Sequence, residues 1–251
     1  MIPEGRSGRG ATVAIVDSGV EGSHPWLAAA SITHLCVERL AVIEGEPVDH
    51  SGHGTACAGI VHRLAPAARI VSVSVLDAQG RTTRDALLAA LRFCVAQRFD
   101  VVNLSLGIDF PREAPLRPSD HRSIVDLYET ADAAYTAGVV LVAAGPNVEA
   151  LRTYPGRFKS LIGVGRARFA DGEMLRSEIT ADHEIVAPGE EVSAPALGGG
   201  ERRWTGTSFA VPHVSAHVAR LRAARPGLPV ESIKAALHRM GSSLPPAPAA
   251  W

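Results

Sequence analysis

Gly206-Thr207-Ser208-Phe209-Ala210-Val211-Pro212-His213-Val214 reads as a tight turn that runs into a helix. Gly206 permits the turn. Val211, Val214, Val218 and Leu221 recur at helical spacing, and Pro212 is tolerated only if it lies in the helix's first turn. That places Ser208 at a helix N-terminus, where free N–H groups and the positive end of the helix dipole favour a developing anion. On this stretch alone, a serine that merely caps its helix is an equally good reading.

Two earlier stretches break the tie. Val13-Ala14-Ile15-Val16-Asp17-Ser18-Gly19 is an apolar strand that ends in a carboxylate and a glycine. Ser51-Gly52-His53-Gly54-Thr55-Ala56-Cys57-Ala58-Gly59 sets a histidine among small residues at the start of another helix. A serine hydroxyl is a poor nucleophile until an imidazole takes its proton. The imidazole in turn needs a carboxylate to hold its tautomer and stabilise its charge.

With Asp, His and Ser in that order, the chain resembles the subtilisin-type serine proteases, the subtilases, from about Gly8 to Met240. That family is a worked illustration of the triad, so the roles are carried over from it. The resemblance implies Ser208 as nucleophile, His53 as general base and then acid, and Asp17 as the orienting carboxylate. It implies acyl transfer from a peptide or protein substrate through an acyl-enzyme. Ser105, Leu106 and Gly107 match the segment that pairs with substrate as an added strand. Tyr154-Pro155-Gly156 matches a wall of the specificity pocket, and Gly145 and Thr207 border the same cleft.

The chain departs from the family at several points. Where the family's strand ends Ala-Gly-Asn, with the Asn donating to the oxyanion, this chain reads Ala144-Gly145-Pro146-Asn147. Direct replacement would put Pro146, which has no side-chain donor, in that place, whereas a one-residue bulge would bring Asn147 back. Ile108 stands where many members have a second glycine. No cluster of oxygen ligands follows the His53 helix, so neither calcium nor any other metal or cofactor is expected. Cys57 falls one helical turn after His53, which suits a buried thiol near the triad better than a metal pair. His213 and His217, also four apart, read as helix packing or surface before they read as zinc ligands.

The alternation of segments gives the fold class independently. Strands are predicted over 12–17, 32–37, 69–76, 100–104, 138–144, 161–164 and 184–187, with a hairpin within 192–204. Helices are predicted over 53–64, from Thr82 or Thr83 to Arg98, over 119–136, from Ser208 onward, and over 229–240 with Gly241 just past the end. This pattern is an α/β fold of three layers, a mainly parallel central sheet flanked by helices on both faces. In such sheets the working groups gather at the strands' carboxyl ends. Residues 1–251 read as a single catalytic domain with a flexible tail from about 241.

Composition narrows the setting. The 251 residues are 46% hydrophobic and 20% charged, with a net charge of −1, which gives no reason to expect a nucleic-acid partner. No apolar run reaches the roughly 18 residues of a membrane span. Three widely spaced cysteines match no disulfide or zinc pattern, and no signal peptide or prosegment is visible. The expectation is a cytoplasmic enzyme or the catalytic piece of a longer chain. Two other functions stay open: a catalytically impaired, peptide-binding or regulatory relative, and transfer of the acyl group to an amine in place of water.

Overall fold

A computed structural model describes residues 7–77 and 79–242. Its centre is a nine-stranded sheet in the order β10-β11-β9-β7-β5-β1-β4-β2-β3. From one edge, the parallel strands are β2 (Ser31–Glu38), β4 (Arg69–Ser74), β1 (Thr12–Asp17), β5 (Val101–Leu104), β7 (Val140–Ala144), β9 (Ile162–Ala167) and β11 (Ile185–Pro188). Antiparallel strands β3 (Ala41–Glu44) and β10 (Arg176–Ser177) close the two edges. The chain leaves β1 toward β2 and later crosses back to add β5 on the other side. Its order therefore reverses at β1, and a crevice opens at that strand's carboxyl end.

Alternation along the strands separates the two faces. Val13 and Ile15 of β1 join one buried cluster with helices α1 (His53–Leu64), α4 (Thr207–Ala224) and α5 (Val230–Ser242). Ala14 and Val16 join the opposite cluster with α2 (Arg84–Ala96) and α3 (Pro118–Thr136). Each fully buried Val, Leu or Ile contributes about 1.5–3 kcal/mol through its removal from water. Cys94 packs in the second cluster, as its place on the α2 face predicts. Thr83 caps α2, its hydroxyl accepting the Ala86 N–H at 3.1 Å.

Several segments differ from the sequence reading. Residues 108–111 (β6) and Leu151–Tyr154 (β8) form a separate two-stranded sheet, and β3 was not foreseen. The hairpin is real and consists of β12 (Val192–Ala196) and β13 (Gly200–Trp204). The last helix does not stop before Gly241: that glycine is buried within α5, where a Cβ would collide with the Ser177 backbone. Of the expected flexible tail, residues 243–251 lie outside the described residues.

His213 and His217 are packed inside the fold. His213 Nδ1–H donates to the Gly172 carbonyl at 2.6 Å, and His217 Nε2–H donates to the Glu173 carbonyl at 3.1 Å. The two rings thereby tie the 171–174 turn to α4. Burial, helped by Arg63 and His217, pushes His213 down to about 3; burial and Arg220 push His217 down to about 4. Both rings are neutral when folded, whereas the unfolded chain takes up their protons below its ordinary value of 6.5. Their contribution is therefore complete above pH 6.5 and lost as the pH falls toward 4, by roughly 1 kcal/mol per pH unit for each ring. Thermal melts between pH 7 and 4 should show this fall, and His217→Gln should flatten it.

Candidate active site

Asp17 ends β1 in the crevice and is fully buried. Its Oδ1 accepts from the Ser18 N–H (2.8 Å) and the Ser18 hydroxyl (3.1 Å). Facing it, His53 opens α1 with Nδ1 at 2.8 Å and 2.9 Å from the two Asp17 oxygens. Because a carboxylate accepts, Nδ1 carries the hydrogen and Nε2 is left free as a base. Gly54 makes this closeness possible, since a Cβ there would run into the Gly19 carbonyl oxygen. The first turn of α1 is fixed by Asp49, which accepts from Ser51 N, Gly52 N, Thr55 N and the Thr55 hydroxyl at 2.7–2.9 Å. Asp49 is thereby the clamp on the histidine's helix.

Ser208 is the second residue of α4. Pro212 is the sixth, beyond the first turn that the sequence reading assigned to it. The reason is local chemistry. Proline lacks the N–H that would bond to the carbonyl four residues earlier, and that carbonyl belongs to Ser208. The Ser105 hydroxyl donates to it instead at 2.7 Å, and the Cys57 thiol does so at 3.7 Å. Asn103 Nδ2 donates to Ser105 Oγ at 2.9 Å, and the Ser215 hydroxyl donates to Asn103 Oδ1 at 3.0 Å. The backbone of Ser208 is thus anchored to both β5 and the body of α4.

The same contacts set the Ser208 backbone against α1. Cys57 lies one turn after His53 on α1, and the Phe209 and His53 rings are 5.1 Å apart. Among the described residues no hydrogen bond joins His53 Nε2 to the Ser208 hydroxyl. Such bonds are commonly long in free enzymes and tighten with substrate. Asp17, His53 and Cys57 also form a cluster of metal-ligating groups within 4.8 Å. Burial and the Asp17 charge push the Cys57 thiol well above its ordinary value, and His53 Nδ1 is already committed to Asp17. This donor set suits a proton relay better than a metal cage.

Asn147 reaches Ser208's turn despite the extra Pro146. Its Oδ1 accepts from Thr207 N–H at 2.8 Å and from Arg166 Nη1 at 3.0 Å. Phe209 N–H is bonded to the Gly206 carbonyl, and the Ser208 N–H has no partner among the described residues. Thr207 Oγ1 donates to the Gly145 carbonyl at 2.9 Å, so the end of β7 is tied to the start of α4.

The remaining candidates divide. Leu106 and Ser105 line an open cleft of about 460 Å³ together with His53, Leu76, Arg202 and Trp204. The Ser105 side chain is buried in the anchor just described, which leaves its backbone for any pairing with substrate. Gly107 packs against the Tyr154 carbonyl, and the next residue, Ile108, pairs with Tyr154 in the small sheet. The Tyr154 ring packs on Phe158 and Phe110. Sequence reasoning missed Arg202, which lies over the Trp204 ring at 3.3 Å. Its signal was only its place on the hairpin that leads into Ser208.

Charge tunes the histidine. Burial opposes protonation of His53, but the adjacent Asp17 carboxylate, aided by Asp49, outweighs it and raises the ring above 6.5; Arg202 pulls it down. Activity that needs neutral Nε2 should therefore fall as the pH drops through a value above 6.5. Arg202→Gln should move that acid limb of kcat/KM to still higher pH, as a pH–rate profile would show.

The model of the Subtilase family matches residues 8–243. Subtilisin NAT of Bacillus subtilis subsp. natto is 27% identical over 237 residues, covering 89% of this chain and 58% of its own length. The intracellular serine protease of Paenibacillus polymyxa is 28% identical over 234 residues, covering 86% of this chain and 67% of its own. The solved structure of sphericase superposes with a TM-score of 0.74 at 25% identity, covering 93% of this chain and 83% of that one. With a family match across nearly the whole described fold, the chain belongs to the subtilase family.

Proposed function

We propose that the protein is a serine endopeptidase in which Ser208, activated by His53 and oriented through Asp17, attacks a peptide carbonyl. The observation that carries this reading is the pair of His53–Asp17 hydrogen bonds, which leave Nε2 free to act as a base. Nε2 takes the hydroxyl proton as Oγ bonds to the carbonyl carbon. The imidazolium so formed is stabilised by Asp17 and returns the proton to the leaving amine, and water then hydrolyses the acyl-enzyme. The negative charge on the carbonyl oxygen falls to the unpaired Ser208 N–H and the Asn147 amide. The substrate is a peptide or protein lying along the Ser105–Gly107 edge, and residues 1–251 act as one catalytic domain.

The regulatory reading loses its support, because it relied on Pro146 displacing the oxyanion donor, and Asn147 reaches Thr207. A cytoplasmic setting is part of the proposal. Cys36, Cys57 and Cys94 are all free thiols, as in a reducing compartment, and one relative is named an intracellular serine protease. Incubation with a peptide library, read by mass spectrometry, tests the function. Cleavage products that disappear with Ser208→Ala are expected; joined peptides would shift the reading to ligation, and intact peptides would count against catalysis.

A further inference from the structure

We propose that Arg166 is a positioning residue of the oxyanion site, locking the Asn147 amide in its donating orientation; this rests on the reading of Ser208 and Asn147 given above. Asn147 follows Pro146 beyond the end of β7, is exposed, and belongs to no strand ladder. Its side chain is held by two hydrogen bonds, from Thr207 N–H and from Arg166 Nη1, both to Oδ1. Both partners are pure donors, so the atom between them must be the amide oxygen, and its two lone pairs are filled. A flip would set the NH₂ group against two donors. Nδ2 is therefore kept on the opposite side of the amide, free to donate to a developing oxyanion.

Arg166 is suited to this task. It stands near the carboxyl end of β9, paired with Ala187 of β11, and its Cβ packs against Gly189. Its Nε lies 3.9 Å from Glu190, which orients the guanidinium without competing for Nη1. The cation also polarises the Asn147 carbonyl it binds, and that makes the amide hydrogens better donors. The extra residue before Asn147 is thereby offset by a pin from a neighbouring strand.

The test compares Arg166→Met and Arg166→Lys in the wild-type and Asn147→Ala backgrounds. Arg166→Met should lower kcat about tenfold with KM within about twofold, a fraction of the 10²–10³ typical of losing an oxyanion donor outright. Lysine should restore most of that loss, and in the Asn147→Ala background neither change should alter kcat further. Should the methionine variant not fold, Arg166→Leu in the two backgrounds gives the same comparison. An unchanged kcat, a change in KM alone, or an equal loss in both backgrounds would overturn the proposal. A readout independent of activity separates this from failure of the active-site reading. The Asn147 side-chain amide resonances, identified by their loss in Asn147→Ala, should shift in Arg166→Met even if the protein hydrolyses nothing. Unshifted resonances would overturn the pin.

Discussion

Ser208→Ala should lower kcat about 10⁶-fold, and His53→Ala by a similar factor; the magnitude is the one known for subtilisin itself and is carried over from that relative. The physical reason is that the two side chains do one job. Without the imidazole the hydroxyl keeps its proton, and without the hydroxyl the imidazole has nothing to activate. The double substitution should therefore be hardly worse than either single one. Rate above the uncatalysed background should survive in all three variants, because the proposed oxyanion donors, the residue-208 N–H and the Asn147 amide, are left in place. A Ser208→Ala protein that retained most of its activity would show that the reaction runs elsewhere. Single-turnover rates on a chromogenic peptide make the measurement.

Asp17→Asn should cost about 10⁴-fold in kcat while leaving the fold intact, a factor again taken from the triad's known behaviour. The carboxylate accepts from His53 Nδ1 at 2.8 Å and from Ser18 N–H at 2.8 Å. An asparagine can offer its NH₂ to Nδ1 and so stabilise the wrong tautomer, with the hydrogen on Nε2, where it faces the serine hydroxyl it should accept from. The same change removes the charge that outweighs burial in setting the His53 affinity for protons. The ring's titration should accordingly move down from its raised value. Histidine NMR titration of the wild type and the variant would show both the tautomer and the shift.

How far the sequence carried this picture depended on whether the deciding contact was local. The carboxylate at the end of an apolar strand, the histidine after a small-residue turn and the serine before a periodic helix are each written in a few consecutive residues. In the fold Asp17 and His53 are hydrogen-bonded, and the Ser208 backbone is tied to the His53 helix through Cys57. The parallel sheet was legible for the same reason. Pro212 was misread because its tolerance depends on Ser105 and Cys57, about a hundred residues or more away in sequence, which take over the Ser208 carbonyl. Asp49 gives no signal in the sequence because its four donors come from a turn whose shape it creates. Gly241 looked like a helix stop, whereas its missing side chain is what lets α5 lie against β10. Arg166 carried no sequence signal, and Arg202 only its place on the hairpin before Ser208, since a lone arginine acquires meaning only from what the fold sets beside it.

Intact-protein mass spectrometry after treatment with a fluorophosphonate is the most direct probe of the central claim, that Ser208 is a nucleophile activated through His53. One adduct should form on the wild type, map to Ser208, and be absent from both Ser208→Ala and His53→Ala. An unlabelled wild type, or an adduct that persists in the His53→Ala protein at an undiminished rate, would contradict it.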